Sequence, residues 1–126
     1  MRLASLTVGI SGLLLASSGA AADFMVFAID GKGHFGHGVG STARAAVEFA
    51  VSYCGQTDCR MVEPVVDSGC MALTQSFKRG DEDGYWFFIG TAPTQQKAQE
   101  TAMDFCSRNN RPQNCKVYYS YCLPPK

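Results

Sequence analysis

Two hydrophobic rhythms alternate along the chain. In TARAAVEFAVSYC, from Thr42, and TQQKAQETAMDFC, from Thr94, small and apolar residues fall into register: Ala46 with Ala98, Ala50 with Ala102, Tyr53 with Phe105, Cys54 with Cys106. A four-residue recurrence marks one face of an α-helix. Thr42 and Thr94 suit the N-cap, with Ser41 and Thr91 as near alternatives. Pro93 is tolerated because it stands at or before the first turn. Both helices are expected to end at their cysteine, where the polar runs GQTD and SRNNRPQN follow.

Around each helix the pattern changes to short β-like runs. FMVFAID and HFGHGVG precede the first helix, with Gly31-Lys32-Gly33 as the turn between them. CMALTQSF and YWFFIG precede the second, joined by KRGDEDG, a polar and glycine-rich hairpin connection. Val39-Gly40 and Ile89-Gly90 read as matching dipeptides before the helices, and CRMVEPVV and CKVYYSYC as matching strands after them. The pattern therefore predicts a strand–strand–helix–strand unit used twice, over about residues 23–70 and 70–126. The fold class is α+β: two helices packed on an antiparallel sheet of about six strands, stapled by disulfides. Two such units can join edge to edge or interleave, so strand order stays open. Phe35, His37 and Val39 are expected on one face of their strand. Gly36 and Gly38 lie on the other, where a neighbouring element can come close.

The N-terminus changes the picture next. MRLASLTVGISGLLLASSGAAADF has a basic start at Arg2, an apolar stretch from Leu6 to Ala16 and small residues at Ala20 and Ala22. This is the grammar of a secretory signal peptide over residues 1–22, cleaved after Ala22. The apolar stretch is shorter than the ~20 residues of a membrane span, and no transmembrane segment is expected after cleavage. The whole chain has 11 Lys+Arg and 11 Asp+Glu; without Arg2 the balance is close to −1. A chain without basic excess is not expected to bind nucleic acid. The six cysteines, Cys54, Cys59, Cys70, Cys106, Cys115 and Cys122, all follow the signal. An even count in a small exported chain reads as a disulfide framework, and no C-x-x-C pair suggests a metal site.

The stretch GKGHFGHGVGST carries Gly31-x-Gly33-x-x-Gly36, the letters of a dinucleotide-binding fingerprint. That fingerprint needs its glycines to open a helix directly after a strand. Here the helix starts about six residues later, so the stretch reads as a turn. His34 and His37 are the only histidines; on a strand they point to opposite faces and read as polar positions on an exposed hairpin. No G-x-S-x-G elbow is present. Asp67-Ser68-Gly69 reads as a turn, and Asp81-Glu82-Asp83 as a solvated one. No catalytic residue, cofactor or metal is expected. The aromatic runs Tyr85-Trp86-Phe87-Phe88 and Tyr118-Tyr119-Ser120-Tyr121 lie on predicted strands. Alternation sends half of each run away from the core, and exposed Tyr and Trp favour interfaces. The candidate binding face is Tyr85, Trp86, Tyr118, Tyr119 and Tyr121.

The chain resembles the bacterial family called "domain of unknown function 4189" (DUF4189). The resemblance rests on the apolar strand FMVFAID, the helix residues Ala46, Ala50 and Cys54, the following Cys59, the Cys70-Met71-Ala72 strand, and then Ala98, Ala102, Cys106 and Cys115. It covers nearly the whole chain after the signal; Cys122 falls outside the shared pattern. It implies an envelope or secreted location and disulfides, and carries over no catalytic residue.

From the duplication, equivalent local pairs are the simplest pairing: Cys54 with Cys59 and Cys106 with Cys115, with Cys70 and Cys122 then pairing across the two halves. A Cys54–Cys70 bond would break the scheme. The expected function is an exported, disulfide-stabilised binding module, a protein inhibitor or adaptor of the bacterial envelope or extracellular space, and not an enzyme. Its partner is expected to be a protein or a cell-wall component. The alternatives are a structural or stress-related envelope protein without a strong soluble partner, and a small cell-wall carbohydrate hydrolase using Glu48 or Asp81–Asp83 as carboxylates.

Overall fold

The structure, a computed structural model, describes residues 23–77, 85–109 and 113–125. Residues 1–22, where a signal peptide is expected, the KRGDEDG connection with Asp81–Asp83, and the side chain of Tyr85 lie outside the described residues. The chain order is β1 (Phe24–Ile29), β2 (Phe35–Gly40), α1 (Ala43–Cys54), β3 (Arg60–Val66), β4 (Cys70–Phe77), β5 (Tyr85–Ala92), α2 (Gln95–Arg108) and β6 (Gln113–Cys122). Each half is thus strand–strand–helix–strand.

Both helices begin where local chemistry dictates. Thr42 Oγ1 accepts the Ala45 N–H at 3.0 Å, and Thr94 Oγ1 accepts the Lys97 N–H at 3.2 Å. Each hydroxyl satisfies one of the amides left open in a first turn. Helix α1 stops at Gly55, whose left-handed backbone (φ 76°) lets its N–H reach the Val51 carbonyl. Helix α2 continues two residues beyond Cys106 before Asn109 caps it.

The six strands do not form one sheet. They form two three-stranded antiparallel sheets, ordered β2-β1-β3 and β5-β4-β6. The units neither join edge to edge nor interleave; they stack. Alternation along the central strands explains why. Met25 and Phe27 of β1 meet Met71 and Leu73 of β4 in one buried cluster, closed at one end by Leu123. The other faces of the same strands are apolar too: Val26 and Ala28 pack on Ala46, Ala50 and Cys54 of α1, and Ala72 packs on Ala98 and Ala102 of α2. A central strand apolar on both faces needs a layer on each side. The result is four layers: helix, sheet, sheet, helix. Polar bonds lock α2 in place. The buried Thr74 hydroxyl donates to the Ala102 carbonyl at 3.1 Å, and Ser120 Oγ accepts from Gln95 and Gln99 at 2.7 and 2.8 Å.

The disulfides pair as the duplication suggests: Cys54–Cys59, Cys106–Cys115 and Cys70–Cys122. The first two tie a helix end to the following strand. The third does not cross between the halves as expected: it joins residues that face each other across β4 and β6, both in the second sheet. Among the described residues no helix is long and apolar enough to cross a membrane.

Candidate functional site

The glycine-rich stretch is a turn followed by a seat for a helix. Gly31 and Gly33 have φ of 80° and 104°, a region that favours glycine. Asp30, which no motif singles out, organises the turn. Its Oδ1 accepts the N–H groups of Lys32 and His34 at 2.8 and 3.1 Å, and its Oδ2 lies 2.6 Å from His34 Nδ1. Only 1% of its side chain is exposed. Desolvation pushes the Asp30 carboxyl up, but the two N–H bonds and the His34 ring outweigh it and hold the group below its ordinary value. Asp30→Ala removes these bonds together and is expected to cost about 2 kcal/mol. Urea denaturation checks this; an unchanged midpoint would show that the glycines alone set the turn.

After the turn, β2 intervenes before α1 starts, so the glycines do not open a helix as a phosphate cradle requires. Gly36 and Gly38 face α1 instead, in backbone contact with it. The structural partner of Gly38 is Gly90: each sits against the helix positions Ala46/Ala50 or Ala98/Ala102. This corrects the dipeptide match. Ile89-Gly90 corresponds to His37-Gly38, not to Val39-Gly40.

The opposite face of β2 carries Phe35, His37 and Val39 together, as alternation predicts, but His37 is not on an exposed face. It lies in the seam between the sheets, its ring 4.8 Å from Phe27, 5.1 Å from Tyr119 and 5.1 Å from Tyr121. Among the described residues its buried Nε2 has no hydrogen-bond partner. Burial lowers its pKa from 6.5 to about 4. Phe35 extends the cluster to Phe87 and Tyr119 at ring distances of 6.4 and 6.3 Å. The Tyr119 phenol is raised by its own burial and by Tyr121. His34 belongs to the turn, so the two histidines do not converge.

The described aromatics of the candidate face, Trp86, Tyr118, Tyr119 and Tyr121, are dispersed. Tyr119 and Tyr121 of β6 cover the seam, Tyr119 still 37% exposed. Tyr118 sits at an irregularity in the β4–β6 register, between Thr74↔Val117 and Leu73↔Tyr119. It is 46% exposed, with the Lys116 ammonium 5.5 Å from its ring. Trp86, opposite Ser76 in the ladder, is half-buried, and Tyr85 pairs with Phe77. Helical aromatics that the periodicity places with the core also stand outside. Tyr53 is 70% exposed and stacks on Phe49 at 6.3 Å, and Phe105 is exposed beside Arg108. Each of Phe49, Tyr53 and Phe105 precedes a buried residue by one position, which turns it about a hundred degrees off the core stripe. That offset is the signal the sequence offers.

At the end of the second sheet where β4 begins, two open hollows of about 560 and 480 Å³ flank the Ser68-Gly69 turn. Val66 and Ala92 line the first, Leu123 and Pro124 the second, and Pro93 both. Glu48 is an exposed residue of α1. Among the described residues no group of three or more His, Cys, Asp or Glu side chains could hold a metal ion.

A family model described as "Domain of unknown function (DUF4189)" matches residues 24–122, nearly all of the described chain. No curated protein and no solved structure matches the chain.

Proposed function

The chain belongs to the DUF4189 family, and on that premise we propose that it is an exported binding module, held in shape by its disulfides, that recognises a protein partner through exposed aromatic side chains. One observation carries this reading. The large hydrophobic side chains left exposed among the described residues are all aromatic: Phe49, Tyr53, Phe105, Tyr118 and Tyr119. Aromatic side chains concentrate binding energy because they bury much area while losing little rotamer freedom. Among the described side chains of the candidate face Tyr118 and Tyr119 are the most exposed, on a strand fixed to its neighbour by Cys70–Cys122. Export rests on the N-terminal signal pattern and on three disulfides, which persist in oxidising compartments.

The test is affinity capture from envelope and secreted fractions with the oxidised chain from Asp23. A single partner is expected, its retention falling at least tenfold when Tyr118 and Tyr119 are both changed to alanine. Retention on cell-wall glycan in place of protein would move the partner to the wall. Equal retention by the double variant and the parent would remove the β6 aromatics from the reading.

A further inference from the structure

The duplication supplies a reference for the strand positions of the first half, and at one seam-facing position an imidazole stands where the second half has an aliphatic side chain. His37 of β2 stands opposite Phe27, as Ile89 of β5 stands opposite Leu73. Both face the seam between the sheets. An aliphatic side chain therefore suffices for packing at this place, and the first half carries an imidazole there. The half-buried ring is flanked by Phe27 from β1 and by Tyr119 and Tyr121 from β6. The titratable groups facing it are the two phenols, and among the described residues no carboxylate pairs with it. Its Nε2 is already a buried nitrogen without a partner among the described residues. Such orphans are rare, because each costs its lost hydration. A second proton on the ring would place a positive charge between two sheets, and the aromatic faces offset only part of the desolvation.

We propose that His37 is an acid-sensitive latch on the seam between β2 and β6: the seam is closed while the imidazole is neutral and opens when the ring takes up a proton, baring Tyr119, Tyr121 and the apolar surface beneath them. Linkage sets the direction. The closed state holds the ring neutral down to about pH 4, whereas an exposed imidazole takes its proton near 6.5. Closure is therefore fully stable above about pH 6.5. It weakens as the pH falls toward 4, the open-to-closed ratio rising by up to about tenfold for each pH unit.

Amide hydrogen exchange of the oxidised chain at pH 7 and pH 4.5, corrected for intrinsic rates, tests this. Protection of β2 and β6 is expected to fall at least tenfold on acidification, with that of β3 unchanged. His37→Ile, which copies the second half, is expected to abolish the response. An undiminished protection in the parent chain, or the same acid response in His37→Ile, overturns the latch. Should His37→Ile not fold, the ring resonances of His37 in the parent chain decide. A midpoint well below 6.5 that coincides with the β2 and β6 amide changes supports the latch; an ordinary midpoint without amide changes overturns it.

Discussion

Gly38→Ala is expected to destabilise the protein by about 3 kcal/mol or more, as a drop in the urea midpoint and in Tm. A Cβ on Gly38 would lie 2.0 Å from the Ala46 carbonyl oxygen and 2.4 Å from the Ala50 nitrogen. Both are backbone atoms of α1, so no side chain can rotate away and the helix itself must lift from the sheet. Overpacking of a well-fitted interior costs about 1–3 kcal/mol even when side chains can adjust. Gly90→Ala should behave alike, since its Cβ would lie 2.4 Å from the Ala102 nitrogen and 2.4 Å from the Ala98 oxygen. Gly31→Ala is the control. Its φ of 80° disfavours alanine, but beyond its chain neighbours no atom of the described residues lies within 4 Å of the added carbon. It should cost only about 1 kcal/mol, the strain of a left-handed residue. Equal losses at Gly31 and Gly38 would show that α1 is not seated on β2 at the closeness described.

Removal of the Cys70–Cys122 bond should cost more than removal of either other disulfide. The bonds close loops of different size, with sequence separations of 52, 5 and 9 for Cys70–Cys122, Cys54–Cys59 and Cys106–Cys115. The loop-entropy relation gives about 4 kcal/mol for the longest and about 2–3 kcal/mol for the two short ones. The long loop spans β4 to the end of β6, so this bond also restricts every arrangement of the second sheet in the unfolded chain. Paired Cys→Ser variants, each compared by denaturation with the parent, measure the ranking. A larger loss from either local bond would mean that helix-end anchoring outweighs the entropy of the unfolded chain.

Some of this architecture can be read one residue at a time. Thr42 and Thr94 announce their helices because an N-cap acts within three residues of itself. The turn at Gly31 and Gly33 is likewise local, although the part played by Asp30 shows only when its carboxylate is seen reaching forward to Lys32 and His34. The candidate binding face is less legible. Alternation separates Tyr119 from Tyr118 but does not say which side of β6 a second sheet will cover. Tyr53 and Phe105 fall in register with each other beside the buried Ala–Ala–Cys stripe, and the repeat groups them with it. They nonetheless point to solvent, since one residue along a helix turns the side chain well off the core face.

The elements, their order, the duplication and the cysteine pairs within each half are all written in the chain, because they follow from short-range periodicity, capping and loop closure. The stacking of the halves as two three-stranded sheets, and the place of His37 in the seam between them, emerge only once the chain is folded. A β-strand specifies two faces by alternation, while which face is covered, and by what, depends on residues far away in the chain. Met25 and Phe27 pack against Met71 and Leu73, residues of the other half that no local pattern names.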